Sequence, residues 1–309
     1  MVKPFTSILK IYSLSNPPPS YQAITDQILK FCSENHSLFT YPEPLWKNLN
    51  FFISLPFKLN EDSNPTKATH TGMTPQDLIL AQQECAQLLK QGLIEPTNSQ
   101  WACQAFYVAK RSEILRRKKR LVIDYQPLNN FLQDQKFPLP NRHTLFIHLK
   151  NAHIFSKFDL KSRFWQLGIH PSERYKTSFC IPNAHYQWTV LLFGLKTAPS
   201  IFQNAMTTLF QLILHRTLVY IDDLLLFSGT HDEHHKLLQQ FFQIIQEYGI
   251  MISDKKSTIA TISVDFLGMK IQDGHYQPGP ILHKSYSTFP KVTLPKSKST
   301  IPWNCQLHL

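Results

Sequence analysis

Glycine is scarce, with 9 residues in a chain of 309, well below the usual share of about 7%. Together with Pro 21 this excludes a collagen-like repeat and a flexible-linker composition. Cysteine is sparse as well. The five stand far apart, at 32, 85, 103, 180 and 305, without a CxxC pair. That argues against a disulfide framework or a thiolate zinc site, and for a reducing compartment. No apolar run reaches the ~18 residues that cross a bilayer. The apolar N-terminal stretch carries Lys3 and Lys10, so neither a membrane partner nor a signal peptide is expected. A cytoplasmic or nuclear location fits this reading, and secretion does not. Acids are outnumbered: Asp+Glu 21 against Lys+Arg 32 gives a net charge of +11. Such an excess suits a phosphate-rich or other anionic partner, although a basic protein without one shows the same balance. What is plentiful is apolar: hydrophobic residues are 42% and aromatics 12%. A disordered chain is excluded, and a sizeable core is available.

Residues 1–70 are punctuated by Pro17-Pro18-Pro19, Pro42, Pro44, Pro56 and Pro65 and read as a loosely packed extension. Thr74-Pro75 then opens a helix that stops at Gly92. AFYVAK (105–110) and RLVIDY (120–125) read as strands around a basic loop, RSEILRRKKR. A short strand ends near Asp159. YKTSFCI and YQWTVLLF form a further strand pair, and a helix starts near Pro199. RTLVYIDDLLLFSG reads as two apolar strands meeting at Asp222-Asp223. Thr230-His231-Asp232-Glu233 has the capping-box pattern before a helix ending at Gly249, and a hairpin turns at Asp273-Gly274. Strands and helices without regular βαβ spacing favour an α+β fold. His231, His234 and His235 share a helix face without an evident fourth ligand, so they read as a solvated first turn rather than a zinc site.

The chemistry concentrates at Asp222-Asp223. As a turn the pair would be ordinary, but Val219, Tyr220, Leu224, Leu225 and Phe227 draw it towards an apolar interior. Two carboxylates there repel each other and lose hydration, and a hard divalent cation relieves both penalties. Asp159, in FSKFDLKSRFW, ends a strand in the same way. Antiparallel pairing can set it beside the doublet. Three carboxylates then serve two Mg²⁺, or Mn²⁺, about 3.5–4 Å apart, as in-line phosphoryl displacement requires. Taken singly, Asp159 is equally an Asx-turn or a helix cap.

Tyr220-Ile221-Asp222-Asp223 resembles the YxDD box of reverse transcriptases. The resemblance runs over about residues 70–290 in the family's order: GLIEPTNSQWACQAFYVAK, KRLVIDYQPLN, FPLP, FSKFDLKSRFWQ, KTSFCIPNAHYQW, LLFGLKTAPSIFQ, YIDD, SDKKS and FLGM. FCIPNAHYQW and GLKTAPSIFQ are similar to the caulimovirus group of plant pararetroviruses. The resemblance implies a right-hand polymerase with fingers and palm, an antiparallel palm sheet packed on helices, and a truncated thumb. It implies an extension at 1–70, fingers at 71–145 with a return at 167–190, palm over the rest of 146–250, and a primer-grip hairpin with the start of the thumb at 251–290. It implies RNA-directed DNA polymerase activity on an RNA or DNA template with primer and deoxynucleoside triphosphates. Asp159, Asp222 and Asp223 match the metal-binding catalytic acids. Phe164 matches the ring that excludes a ribose 2′-hydroxyl. Lys110 and Arg120 match basic fingers residues holding the triphosphate, and Phe193, Gly194 and Tyr220 match the nucleotide floor. Lys255 or Lys256, of which Lys255 is preferred, matches a palm lysine, and Phe266, Leu267, Gly268 and Met269 match the primer grip. Without the family these would read as core aromatics, surface lysines and an ordinary hairpin.

Departures from the pattern stand beside the acids. Arg163 follows Ser162 where the family usually has Gly, Leu192 precedes Phe193 where it usually has Pro, Arg117 replaces a loop Gly, and Gln126 replaces Arg or Lys. The tail differs more. A back-translation of STIPWNCQL (299–307), read one base later, yields a family-like Val-Gln-Phe-Leu-Gly-Ile-Val-Asn-Tyr. Residues 291–309 are therefore expected to be a frameshift product, and the chain a decayed endogenous viral copy. A catalytically inactive, nucleic-acid-binding remnant is the alternative to an active polymerase.

Overall fold

In the computed structural model, residues 17–35, 43–58, 66, 72–109, 119–272 and 274–278 are described. The proline run does not exclude a helix but starts one. A 3-10 turn at Pro19–Tyr21 leads into α1 (Gln22–Asn35), because proline in a first turn sacrifices no helical hydrogen bond. Tyr21, Ile24, Ile28 and Phe31 lie on one stripe and are buried. Residues 43–58 are equally tied down. The Ile53 amide donates to the Gly168 carbonyl at 2.9 Å, the His170 amide donates to that of Ile53, and Trp46 and Leu55 are buried. A Cβ on Gly168 would lie 2.2 Å from the Trp46 carbonyl oxygen, so only glycine admits this approach. The reading of 1–70 as loosely packed is thus corrected for these described stretches.

Thr74 caps α2 (Pro75–Lys90), its Oγ1 accepting from the Asp77 amide at 3.2 Å. Next come β1 (Ile94–Pro96), β2 (Cys103–Ala109) and β3 (Lys119–Ile123), followed by short helices α3 (Gln126–Phe131) and α4 (Arg142–Ile147). Then follow β4 (Ile154–Asp159), β5 (Phe179–Ile181), β6 (Ala184–Trp188), α5 (Ala198–Leu209), β7 (Thr217–Tyr220) and β8 (Asp223–Ser228). The long α6 (His231–Glu247) is capped by Thr230, whose Oγ1 accepts from the Glu233 amide at 3.4 Å, while the Glu233 carboxylate pairs with Arg216. The chain continues through β9 (Thr258–Thr261), β10 (Ser263–Phe266), β11 (Met269–Gln272) and β12 (His275–Pro278).

Three sheets result among the described residues. β5 and β6 return to the first hairpin, giving the order β1-β6-β5-β2-β3, in which only β2 and β5 run parallel. The second sheet, β7-β8-β4-β9, is antiparallel throughout, and β10-β11-β12 is a meander. The apolar run Leu224–Phe227 reflects a sheet covered on both faces. Ile154, Phe158, Leu224 and Leu226 face the main core, where Phe158 and Phe241 of α6 stack at 4.3 Å. Phe155, Leu218, Leu225 and Phe227 face a second cluster with Val264, Phe266 and Ile271. By the same alternation Lys157, Asp159, Tyr220 and Asp223 belong to that second face, at its open end.

The histidine face is solvated only in part: His231 is exposed and His235 partly so, but His234 is not. His234 is buried, with Nδ1 at 3.0 Å from Ser228 Oγ and Nε2 at 2.7 Å from Ser156 Oγ. Ser228 Oγ donates to the Thr230 carbonyl, so Nδ1 carries the proton and Nε2 accepts from Ser156. Burial lowers this histidine's pKa to about 3. His231 Nδ1 instead meets the Tyr21 hydroxyl at 2.9 Å, so α1 covers the turn.

Candidate active site

Register alone brings the acids together. β4 and β8 are hydrogen-bonded neighbours with Asp159 directly opposite Asp223. The Leu160 amide donates to the Asp222 carbonyl at 2.9 Å, which fixes the second acid beside the first. Between β7 and β8 the chain reverses over Ile221 and Asp222. Ile221 has φ +52, a left-handed conformation that a β-branched residue adopts only under strain. Gln203 of α5 holds the turn. Its Oε1 accepts from the Ile221 amide at 2.7 Å, and its Nε2 donates to the Val219 carbonyl at 2.9 Å. A buried amide with both ends bonded over-determines the strained turn.

A second left-handed turn faces the first. Ser162 and Arg163 have φ +58 and +46. Gln166, fully buried, donates to the carbonyls of Lys161 and Met251 and accepts from the Met251 amide. The turn throws Arg163 back over the strand ends, with Nε 2.6 Å from Asp222 Oδ2. Lys157 Nζ lies 3.7 Å from Asp223, and Lys256 Nζ lies 3.3 Å from both Asp159 oxygens. Each acid therefore faces its own cation. The Asp222 carboxyl is still held above the usual carboxylate range, first by burial and then, against the pull of Arg163, by Asp223 and Asp159. Negative charge remains under-solvated here, and an all-carboxylate donor set suits a hard cation. The orientations serve the basic side chains instead: among the described residues no three His, Cys, Asp or Glu groups converge at metal-ligating spacing.

A cleft of about 280 Å³ opens beside Asp159, lined also by Ser162, Arg163, Phe193, Ser253 and Lys256. Phe193 also lines an apolar cavity of about 350 Å³, with Arg120, Trp188 and Gly194. Phe193 is half exposed and lies 5.0 Å from the buried Phe164 ring, which also packs on Phe202. Gly194, at φ +97, makes the turn behind Phe193. Asn129 of α3 clamps it, donating to the Gly194 carbonyl and accepting from the Lys196 amide. Leu192 is buried.

The structure brings Lys256, not Lys255, to Asp159. Within the 3-10 turn Asp254–Lys256, successive side chains diverge by about a third of a turn. Arg120 is exposed at the start of β3, whereas Lys110 and Arg117 lie outside the described residues. Leu267 and Gly268, both at positive φ, close the β10–β11 hairpin, with Phe266 fully buried and Leu267 and Met269 partly so. Residues 291–309 lie outside the described residues. Gln203, Gln166 and Asn129 escaped sequence reading, since an amide that bonds distant backbone leaves no local pattern.

A twisted antiparallel sheet carrying acids at adjoining strand ends, backed by helices and flanked by a second sheet, is the palm-type architecture of nucleic-acid polymerases. A family profile described as reverse transcriptase (RNA-dependent DNA polymerase) matches residues 108–271. The chain is 54% identical over 295 residues to the genome polyprotein of Petunia vein clearing virus (isolate Hohn), covering 94% of this chain and 14% of that protein. It is 33% identical to the enzymatic polyprotein of Cauliflower mosaic virus (strain Strasbourg), covering 87% of this chain and 39% of that one. The chain thus spans between about one seventh and two fifths of the length of these relatives. In fold it is similar to the foamy viral protease-reverse transcriptase solved with an RNA/DNA hybrid, with TM-score 0.66, 22% identity, and coverage of 95% of this chain and 40% of that one. The chain belongs to the reverse transcriptase family, of the pararetrovirus type.

Proposed function

We propose that this chain adds deoxynucleotides to a primer 3′-end, directed by an RNA or DNA template, at the strand ends that carry Asp159, Asp222 and Asp223. The observation that supports this most is the register placing Asp159 opposite Asp223 with Asp222 in the adjoining turn. Residues 71–145 and 167–190 act as fingers, the remainder of 146–250 as palm, and the hairpin through Phe266, Leu267, Gly268 and Met269 as primer grip. Two Mg²⁺ held by the three aspartates would neutralise the triphosphate and lower the pKa of the primer hydroxyl. The chain's own residues do the rest. Arg120, Lys110 and Lys256 draw in phosphate oxygens. Phe193, Gly194 and Tyr220 set the floor of the nucleotide site, Phe164 crowds the ribose 2′ position, and Lys255 contributes positive charge at the rim. The backbone of template and primer is bound chiefly by charge, so affinity falls steeply with salt.

The test is primer extension on an RNA template, with and without Mg²⁺. We expect Mg²⁺-dependent extension that Asp222→Asn abolishes, and extension unchanged by that substitution would refute the assignment. A second reading, an inactive remnant that only binds nucleic acid, is favoured by the orientation of all three carboxylates towards basic side chains. Template-primer binding without incorporation would select it.

A further inference from the structure

We infer that Arg163 is a tethered cation competing with divalent metal for Asp222, so that this chain holds its catalytic centre in a self-neutralised state. The inference rests on the proposed polymerase site and adds a control absent from that proposal. Three observations carry it. The Arg163 Nε–Asp222 Oδ2 distance of 2.6 Å is that of a charge-assisted hydrogen bond, so the oxygen a metal would need is already engaged. The contact is also built in. Arg163 stands at φ +46 directly after Ser162 at φ +58, and the buried Gln166 ties the Lys161 carbonyl that enters the turn to the backbone of Met251. A non-glycine residue keeps such a conformation only where its surroundings impose it. Finally, the remaining charge is shared out in the same way. Lys157 faces Asp223 and Lys256 faces Asp159, which leaves Asp222 as the acid whose partner comes from the left-handed turn.

The contact is reversible in principle. Arg163 is 52% exposed, so solvent competes for the pair. A short tether gives the guanidinium an effective concentration on the order of millimolar. A free ion must outcompete it, and its apparent affinity falls accordingly. When the metal does bind, the guanidinium has room to swing into the cleft that Arg163 itself lines with Phe193.

The experiment measures Mn²⁺ binding to the full chain, from the free-ion paramagnetic resonance signal, for wild type, Arg163→Gly, Arg163→Met and Arg163→Gly/Asp222→Asn. We expect both single substitutions to tighten Mn²⁺ binding by about tenfold or more, the scale of one charged hydrogen bond. The double variant should lose that gain. Glycine accepts φ +46 without strain, so Arg163→Gly should melt no lower than wild type, and Arg163→Met separates charge from backbone relief. Equal affinity in wild type and both single variants overturns the inference. So does a gain confined to Arg163→Gly, or one that survives Asp222→Asn. Primer extension run in parallel keeps the two ideas apart. Arg163→Gly that gains Mn²⁺ yet never extends a bound primer sinks the polymerase reading alone. Wild type that extends as fast as Arg163→Gly at equal Mn²⁺ affinity sinks the competition alone.

Discussion

The two faces of the β7-β8-β4-β9 sheet use the same strands for opposite ends. On one face Ser156 and Ser228 enclose a neutral histidine whose ring nitrogens are both bonded, beside the stacked rings of Phe158 and Phe241. On the other, a few residues along the same strands, Asp159 and Asp223 sit opposite each other and share three basic neighbours with Asp222. The first face is settled, with its histidine neutral and bonded at both ring nitrogens. The second keeps under-solvated charge and two strained turns. Packing gathers on one side, and strained turns with desolvated, paired charge on the other, the pattern that marks a candidate working site.

Substitutions that break one face should spare the other. Asp223→Asn should lower primer extension on the order of a thousandfold, the scale of losing a charge-stabilising group, with the melting temperature unchanged or raised. Phe241→Ala should do the reverse. Loss of its packing on Phe158 and Phe210 should cost about 3–5 kcal/mol in urea unfolding. The pH dependence belongs to the settled face. His234 titrates at about 3 in the folded chain, against 6.5 for a histidine free of such burial. Its contribution to stability is complete above the unfolded value and is lost as pH falls from about 6.5 towards 3. The slope is about 1.4 kcal/mol per pH unit, because the unfolded chain binds the proton first. A urea-midpoint series should show this slope, and His234→Gln should flatten it. The smallest effect tests the link between faces. Gln203→Leu should free the Ile221 turn, slow extension by about tenfold, and cost on the order of 1–2 kcal/mol for the amide and carbonyl left unpaired.

What was legible followed from pattern. Thr74, Thr230 and their glycine stops marked two helices, and the apolar flanks of Asp222-Asp223 marked a hairpin drawn into a core. The ordered motifs then brought Asp159 to its strand partner. What was illegible had no local signature. α1 was masked by prolines that begin it, and His234 looked solvated because its cover, Tyr21, lies more than two hundred residues earlier. Gln203, Gln166 and Asn129 act on backbone that sequence spacing does not connect to them. The choice between Lys255 and Lys256 turned on the direction of one 3-10 turn.

The close passage of Trp46 over Gly168 bears on how this protein can be handled. The family profile begins at residue 108, but the polypeptide that closes the core starts near residue 19, with Tyr21, Ile28 and Phe31 sealing α6 and Ile53 threaded beside Ile169. Expression of a fragment trimmed to the profile would uncover that apolar surface and a bare backbone edge together, so the insoluble product would reflect a missing wall of the domain rather than a defective enzyme.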